Sequence, residues 1–496
     1  MKNNDDLFGI KNFRVYKNYS EFELKPITIL TGTNSSGKSS LLKAIQLLGN
    51  SIHEGYGTQL RFYSEDLNLG SFDSVVPDSK VDKIEFRYNN VEFIFIKYPL
   101  FREESILQYI KIYDDRGNLI SRFETIPDLE YFGMTMTLFI EEKVLGSCKG
   151  KKNALLKQMF NYLGKGRLFE DTLLQIVDSD RTTLINEIKK LRSFYFNSKL
   201  NSDGSWLHIS KNQFEDIKKY FVNSGFSEIE INLIIDEIEK SLAEIADTII
   251  DSLYKCLNLA NVVLLPSFRG SNKRIYSNYN SNNFLEKALY DYYKHRRDIK
   301  LGTLGNYSDE NISLTIGDDK KNFLKKWLKA FQIGDDLEID HIVGAGIKAT
   351  IIDENKKTEL SDLGFGISQV LPIIMLASYR VAYDYLLIEE PESHLHPNFQ
   401  SKLAELFVDS KNVFDKRFII ETHSEYLIRK LQYLVLKGKI SKDDIAIYYF
   451  DKENNKTSYR KIEIREDGML KDDFGPGFFD ESVRLTKELL MNIKSN

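Results

Sequence analysis

Cysteine is nearly absent from this 496-residue chain, which contains only Cys148 and Cys256. Two isolated cysteines cannot build a disulfide scaffold or a cysteine-ligated zinc site, and their scarcity is typical of a reducing cytoplasm. Long apolar runs are also missing, because the most apolar stretch, 370–388, is interrupted by Arg380 and Asp384. A membrane helix needs about 20 nearly uncharged residues. We therefore expect a cytoplasmic protein without a membrane partner.

The chain also carries no excess of positive charge. The formal net charge is −5 and the pI is about 6.0, so the overall field does not attract nucleic acid or an anionic membrane, although a local basic patch is compatible with it. The acidic start, MKNNDDLFGI, lacks an apolar segment, and we expect no signal peptide there. Apolar surface, in contrast, is plentiful: 42% of the residues are hydrophobic, enough for a sizeable core.

The order of hydrophobic patterns predicts an α/β protein. Residues 27–31 predict a buried strand, a glycine-rich turn follows, and 40–48 carry apolar residues at helical spacing. Between 82 and 142, β-branched and aromatic runs separated by turn residues predict an antiparallel sheet. Residues 150–258 have a helical pattern, and form either a lobe inserted into the fold or simply helical core. Further strands are predicted at 262–265, 337–352, 385–388 and 417–420, with 445–450 and 458–464 as a final hairpin.

The strongest motif is the glycine-rich turn, Gly32-Thr-Asn-Ser-Ser-Gly-Lys-Ser39, which has the full GxxxxGK[ST] spacing. Its glycines let successive backbone N–H groups point at phosphate oxygens, and the following helix adds its positive N-terminal dipole. Lys38 is expected to reach the β- and γ-phosphates, and Ser39 to offer a hydroxyl to Mg²⁺. The motif predicts an ATP site made of Gly32, Asn34, Ser35, Ser36, Gly37, Lys38, Ser39 and Ser40.

An apolar strand that ends in two acids, Tyr385-Leu-Leu-Ile-Glu-Glu390, predicts the hydrolytic part of the site. Glu389 is expected to hold the hydration shell of Mg²⁺, and Glu390 to orient and deprotonate the attacking water. Aspartate is more usual at the first position, so the longer arm of Glu389 is expected to shift the metal or soften its binding. After the next predicted strand, His423 is expected to donate a hydrogen bond to the γ-phosphate. The predicted catalytic residues are Lys38, Glu390 and His423.

A second helix start with phosphate-binding character is predicted in Leu360-Ser-Asp-Leu-Gly-Phe-Gly-Ile-Ser-Gln369. Two glycines and two serines precede an apolar helix expected from Ile367 to about Tyr379. One chain cannot easily present two helix N-termini to a single γ-phosphate, so we expect this one to act on the nucleotide of another copy. The candidate residues are Ser361, Gly364, Gly366 and Ser368, and which of the two serines contacts the phosphate is open.

In order and spacing, these motifs resemble the heads of ABC-type ATPases. More narrowly, LSDLGFGISQVLP, LLIEEPESHLHP and ETHSEYL resemble the overcoming-lysogenisation-defect ATPases and their relatives in bacterial antiphage defence, and the chain is similar to the ATPase subunit of Septu-type systems. The resemblance covers about 1–145 and 260–496. It implies an ABC-type head with a mixed, mostly parallel sheet and an antiparallel β-subdomain in 1–148 and 261–496, with a helical insertion at 149–260.

The resemblance also implies ATP and Mg²⁺ as ligands, a homo-oligomer with ATP-gated pairing of heads, and a separate effector nuclease of HNH type through which nucleic acid is reached. The chain departs from the pattern where DLGFGIS replaces the usual SGGQ. It also lacks a recognisable set of TOPRIM metal acids, so we expect the nuclease to be another protein. A RecF-like DNA-repair ATPase that binds DNA directly is the alternative. A transporter subunit is disfavoured because more than 300 residues separate the phosphate loop from the glycine- and serine-containing segment 360–369.

Three basic or histidine-containing features have weaker interpretations. Arg269, Lys273 and Arg274 form either a phosphate- or partner-binding loop or an ordinary surface loop. The lysines around Trp327 are expected to form a solvated helix face rather than a DNA contact; they are Lys321, Lys325, Lys326 and Lys329. His394 and His396 are expected to flank the ATP site rather than bind a metal.

Overall fold

A computed structural model shows a six-stranded sheet between a layer of helices and a second, antiparallel sheet. Apolar residues on the two faces of the central sheet belong to two separate cores, so the three layers are held together from both sides. The structure describes residues 6–54, 59–64, 67–98, 104–128, 133–140, 262–277, 283–301, 321–354, 356–378, 385–453 and 456–474, with short pieces at 248–259 and 484–488.

The described elements follow one another along the chain in this order. The strands are β1 (Asp6–Lys11), β2 (Ser20–Leu24), β3 (Ile27–Gly32), β4 (Tyr63–Ser64), β5 (Leu67–Asn68), β6 (Lys83–Tyr88), β7 (Val91–Lys97), β8 (Ser105–Tyr113), β9 (Leu119–Asp128), β10 (Gly133–Ile140), β11 (Val263–Leu265), β12 (Asp336–Ile342), β13 (Gly346–Asp353), β14 (Lys356–Glu359), β15 (Tyr385–Glu389), β16 (Arg417–Glu421), β17 (Ile445–Glu453) and β18 (Lys456–Ile462). The α-helices are α1 (Lys38–Glu54), α2 (Phe72–Val75), α3 (Phe284–Leu301), α4 (Phe365–Ala377), α5 (Pro397–Phe414) and α6 (Glu425–Leu436), and residues 321–330 are also helical.

The central sheet has the strand order β11-β15-β16-β3-β17-β18. Its first five strands are parallel, and β18 pairs antiparallel with β17 as the predicted final hairpin. Successive residues of a strand point to opposite faces. Ile27 and Ile29 therefore join the core formed with α4, α5 and α6, whereas Leu30 joins the core under α1 and the antiparallel sheet. The predicted α/β fold is confirmed.

The parallel strands bring the predicted chemistry to one edge of the sheet. β16 lies between β15 and β3, with Glu389 opposite Glu421 and Glu421 opposite Leu30. Ligands of open parallel sheets bind outside the carboxyl ends of the strands. The turn after Gly32, the acids that end β15 and the residues after β16 therefore meet at the edge where such a ligand would lie.

A seven-stranded antiparallel sheet, in the order β10-β9-β8-β7-β6-β1-β2, covers the other side. Strands β6 to β10 lie in the region 82–142, where an antiparallel sheet was predicted. The turn after β8 is made by Asp114, whose Oδ1 accepts hydrogen bonds from the N–H groups of Arg116 at 2.9 Å and Asn118 at 2.7 Å. A self-bonded aspartate turn of this kind explains the tight reversal into β9.

Two helices begin earlier than predicted. α1 begins at Lys38 rather than Ser40, and α4 begins at Phe365 rather than Ile367 and ends at Ala377. The predicted helical region, 149–260, lies almost wholly outside the described residues, and its boundaries stay predictions. Near its end, Ser252 accepts a hydrogen bond from Asn90 at 2.6 Å. Within the part of the chain that the structure describes, no helix is long and apolar enough to span a membrane.

A buried ion cluster joins the antiparallel sheet to the amino ends of β15 and β16. Arg417 and the Tyr385 hydroxyl both donate hydrogen bonds to Asp6, which is 8% exposed. Burial opposes ionisation of Asp6, but the charge of Arg417 and the Tyr385 hydrogen bond hold its pKa below the ordinary value. The resulting stability is present at neutral pH and is lost as the pH falls through that lowered pKa.

Substituting Arg417→Met is expected to lower the free energy of unfolding by about 3 kcal/mol, because the Asp6 carboxylate stays buried without its cation. Urea unfolding at pH 7 measures the change. The double variant Arg417→Met with Asp6→Asn is the control and is expected to lose clearly less, since it removes the stranded charge. Equal losses in the two proteins would contradict the ion-cluster explanation.

Candidate nucleotide site

The loop after β3 is held in a left-handed backbone conformation by the neighbouring strand β17. Gly32 has φ of 126° and Gly37 has φ of 110°. A Cβ atom on Gly32 would lie 1.9 Å from the carbonyl oxygen of Phe450, so glycine is required there. The N–H of Thr33 donates to the same oxygen at 3.0 Å, and the Tyr16 hydroxyl donates to the Gly37 carbonyl at 2.9 Å. The loop is therefore shaped before any ligand binds.

Lys38 begins α1 and folds back over this loop. Its side chain is 3% exposed, and Nζ donates to the carbonyl oxygens of Gly32 at 3.2 Å and Thr33 at 2.7 Å. Burial lowers the pKa of Lys38, and the charges of Glu421 and Glu390 act against that shift. A buried cation beside a helix N-terminus and a ring of backbone N–H groups is suited to phosphate oxygens.

The other predicted loop residues surround Lys38. Asn34 and Ser35 form the exposed tip, and Ser35 has φ of 57°. Ser36 is buried and donates from Oγ to the Thr33 carbonyl at 2.7 Å. Ser39 and Ser40 are half-buried in the first turn of α1. The structure thus brings the predicted set together in one loop and one helix turn.

Two adjacent acids end β15, as predicted. Glu389 is its last residue, and its Oε1 atom is buried without a hydrogen-bond partner. Burial raises the pKa of Glu389, and repulsion from Glu390 raises it further. Glu390 follows with φ of 44°, and its N–H donates to the Glu421 carbonyl at 2.8 Å while its Oε2 accepts from Ser393 Oγ at 3.0 Å. Strained left-handed residues of this kind cluster at functional sites.

Two further carboxylates, one at the end of β16 and one in the turn after β15, were missed by the sequence interpretation. Glu421 accepts a hydrogen bond from Ser39 Oγ at 3.0 Å. Glu392 accepts from the N–H of His423 at 2.7 Å and from Thr422 Oγ1 at 2.8 Å, which fixes the loop that carries His423. In the sequence, these residues are marked only by their position inside motifs: Glu421 begins ETHS, and Glu392 ends EEPE.

His423 lies on the exposed side of that loop. Partial burial and then the charge of Lys38 lower the pKa of His423 below its ordinary value. The imidazole is therefore neutral at pH 7 and has one N–H to donate and one nitrogen to accept. The opposing influence of Glu390 on the same pKa places both Lys38 and Glu390 in its electrostatic surroundings.

Arg269 does not lie on the ordinary surface loop that was one of the two interpretations left open by the sequence. Its side chain is fully buried, and Nη2 donates to the carbonyl oxygens of Glu389 at 2.5 Å and Glu390 at 3.0 Å. Burial lowers the pKa of Arg269 to about 10, so it remains charged at neutral pH. Its N–H donates to Gln369 Oε1 at 3.0 Å. Arg269 thus connects α4 to the acids that end β15.

The remaining basic residues form ion pairs within the chain. Lys273 pairs with Glu286 at 2.9 Å, and Arg274 pairs with Glu359 at 3.1 Å and Asp362 at 3.2 Å. On the 321–330 helix, three lysines pair with nearby aspartates: Lys325 with Asp336, Lys326 with Asp409 and Lys329 with Asp335. These surfaces carry balanced charge.

The four residues predicted to bind phosphate around the start of α4 differ in exposure. Gly364 caps α4 and is exposed, and Ser361 and Gly366 are half-buried. Ser368 is 0% exposed and donates from Oγ to the Phe365 carbonyl at 2.6 Å. A second copy could therefore meet Ser361, Gly364 and Gly366 at the surface, whereas Ser368 lies in the first turn of α4 and is buried beside the carbonyl oxygen of Gly270.

The residues at the sheet edge fit a nucleotide bound with a divalent cation. The loop offers N–H groups and a buried lysine for phosphates, and Glu389 Oε1 and Glu421 Oε2 are buried acceptors without partners. Among the described residues, no three or more histidine, cysteine, aspartate and glutamate side chains are grouped to hold a metal. A hard cation here would accordingly take oxygen ligands from Ser39 and the nucleotide as well as from carboxylates.

The chain matches the AAA ATPase domain family over residues 7–428, and it belongs to that family. The match includes β3, the phosphate loop and the ends of β15 and β16. Fold and motif order together define an ABC-type ATPase head of α/β class. Residues 440–489 match a second family, described as a protein of unknown function, DUF3696. No curated protein matches the chain.

Similar solved structures are head domains of SMC proteins. One is the Smc head domain with an extended coiled coil bound to the C-terminal domain of ScpA, from Pyrococcus furiosus, with 12% identity, a TM-score of 0.35, and coverage of 97% of this chain and 98% of that chain. Another is the SMC head domain from Thermotoga maritima, with 9% identity, a TM-score of 0.32, and coverage of 92% and 98%. At these TM-scores the superpositions define no partner or substrate.

Proposed function

We propose that this chain binds ATP together with Mg²⁺ and hydrolyses it at the carboxyl edge of the central sheet. The observation that supports this most strongly is the convergence of Lys38, the Glu389–Glu390 pair and His423 around one phosphate loop. The test is phosphate release from ATP by the purified chain, with Mg²⁺ and with EDTA. Release that needs Mg²⁺ is expected, and no release under any condition would contradict the proposal.

In this proposal each residue has one task. Lys38 and the loop N–H groups bind the β- and γ-phosphates, and Ser39 and Glu389 hold the cation, which neutralises phosphate charge when bound. Glu390 orients the attacking water and accepts its proton. Neutral His423 donates a hydrogen bond to the γ-phosphate. Lys38, Glu390 and His423 lie in the segments that follow β3, β15 and β16, so the distances between them follow from the register of these strands.

We further propose that two copies pair head to head, with the start of α4 of one copy completing the nucleotide site of the other. Support comes from the exposed Gly364 and the half-buried Gly366 at the N-terminus of α4. Mixing Lys38→Ala with Gly366→Glu tests this, because a mixed dimer has one intact composite site. Recovered turnover is expected. Failure to recover in mixed dimers that demonstrably form would mean that each copy works alone.

Arg269 is proposed to position the acids rather than to touch the nucleotide. Arg269→Met leaves two carbonyls without their donor, so kcat is expected to fall about tenfold to a hundredfold while KM for ATP is little changed. Steady-state kinetics separate the two constants. Arg274→Met, in the same loop but exposed, is the control and is expected to keep wild-type kcat. A loss of thermal stability with unchanged kcat would reduce Arg269 to a structural role.

Finally, we propose that ATP turnover regulates a separate effector nuclease of HNH type in an antiphage system. The support is the motif resemblance at 360–372, 386–397 and 421–427. A nucleotide-driven change of shape acts only through a partner that distinguishes the two states. Co-expression with such a nuclease and size-exclusion chromatography are expected to give one complex. Metal-dependent plasmid cleavage by this chain alone, surviving Lys38→Ala, would contradict the assignment.

A further inference from the structure

Glu421 lies beside Ser39, one of the two residues predicted to bind Mg²⁺, although the two are far apart in the sequence. It is the last residue of β16 and is 6% exposed. Its Oε1 accepts a hydrogen bond from the Ser39 hydroxyl at 3.0 Å. Lys38 Nζ lies 3.9 Å from the same oxygen. The second oxygen, Oε2, is buried and has no hydrogen-bond partner.

The neighbouring strand places a second carboxylate beside it. Glu389 is the register partner of Glu421, and Glu389 Oε1 is also buried without a partner. Buried carboxylates on adjacent strands repel each other, and an unsatisfied buried acceptor is costly. Lys43 and Arg269 act on the charge of Glu389, and Lys38 acts on that of Glu421, but Glu389 Oε1 and Glu421 Oε2 both lack a hydrogen-bond partner. A cation between the two strand ends would satisfy both oxygens.

Anchoring Ser39 does not by itself explain a glutamate at this position. A single neutral acceptor, such as the amide oxygen of glutamine, would accept the Ser39 hydroxyl equally well and would avoid the buried charge. The charge is useful if Ser39 binds a metal, because a carboxylate polarises the hydroxyl more strongly than an amide does and makes its oxygen a better ligand. A carboxylate that accepts a hydrogen bond from a metal ligand orients that ligand and raises its basicity.

We propose that Glu421 is the second carboxylate of the divalent-cation site, with one oxygen orienting Ser39 and the other facing the cation or one of its waters. The cation is held with the bound nucleotide between Ser39, Glu389 and Glu421. Mg²⁺ is commonly bound through one or two carboxylates with substrate phosphates and water completing its shell. This inference rests on the proposed ATP-binding function and adds a residue that the phosphate-loop and double-acid motifs do not include.

The test measures metal binding rather than turnover. Mn²⁺ in the presence of ATP is titrated onto the full chain and followed by electron paramagnetic resonance, for wild type and for Glu421→Gln. The amide keeps the acceptor for Ser39 and loses only the charge. Half-saturation by Mn²⁺ is expected to rise about tenfold to a hundredfold. Glu421→Asp, which keeps the charge, is expected to retain tighter metal binding than Glu421→Gln.

Glu425→Gln is the matched control, because Glu425 lies four residues further along, at the start of α6, and pairs with Arg429. It is expected to bind Mn²⁺ as wild type does. ATP affinity in EDTA is measured for all proteins and is expected to be unchanged by Glu421→Gln. Wild-type Mn²⁺ affinity in Glu421→Gln, or an equal loss of ATP affinity in EDTA, would overturn the inference. If wild type bound no ATP at all, the proposed function itself would fail instead.

Discussion

Lys38→Ala is expected to abolish ATP binding, with a loss of affinity of about a hundredfold or more. The Lys38 ammonium is the buried cation of the phosphate loop, and its two hydrogen bonds now go to the carbonyl oxygens of Gly32 and Thr33. A nucleotide phosphate would replace these acceptors with stronger, charged ones. Alanine removes the cation but leaves the glycine conformations and the start of α1 in place. Equilibrium binding of a fluorescent ATP analogue in Mg²⁺ measures the effect.

Lys357→Ala serves as the matched control for that measurement. Lys357 is an exposed lysine on β14 that pairs with Glu338, far in sequence from the loop. It is expected to bind ATP as wild type does. Unchanged affinity in Lys38→Ala would show that the loop after β3 does not hold the nucleotide, and the site would have to be sought elsewhere.

Glu390→Gln is expected to keep ATP binding and to lower kcat by about 10²–10⁴-fold. The amide can still accept from Ser393 and can still hold a water, but it cannot take the proton of that water. The left-handed backbone at Glu390 and its hydrogen bond to Glu421 do not depend on the side-chain charge. The variant should therefore accumulate with ATP bound. Single-turnover hydrolysis and nucleotide content after gel filtration measure both quantities.

The comparison for Glu390→Gln is Glu405→Gln, an acid on α5 that pairs with Lys430. Its kcat is expected to equal that of wild type. Near-normal turnover by Glu390→Gln would identify Glu389 or another group as the base. Loss of ATP binding would instead mean that Glu390 holds the nucleotide or its cation.

The parts of the site that the sequence predicted are those encoded by local pattern. The phosphate loop needs only glycine spacing between a strand and a helix, and the apolar strands that end in Glu389 and Glu421 are contiguous runs. Local order also predicted that His423 follows a strand. Parallel pairing then places all of these at one edge, so correct strands were sufficient to assemble most of the site.

The parts that were missed depend on pairing between distant segments. Glu421 gains its importance from lying opposite Glu389, a register that no local pattern reveals. A surface loop was one of two interpretations left open for Arg269, because cations are rarely buried. Its guanidinium is buried because two main-chain carbonyls accept its hydrogen bonds and the charges of Glu392, Glu389 and Glu390 favour the cation. Ser368 was a candidate for contact with another copy, but it is buried beside the carbonyl oxygen of Gly270, in a segment that is distant in the sequence.

The central claim is that one site, built from the phosphate loop and the two acids of β15, binds and hydrolyses ATP. It is tested most directly by measuring bound nucleotide and released phosphate in the same samples of wild type, Lys38→Ala and Glu390→Gln. Wild type is expected to bind and hydrolyse, Lys38→Ala to do neither, and Glu390→Gln to bind without hydrolysing. Phosphate release that persists at the wild-type rate in both variants would contradict the account.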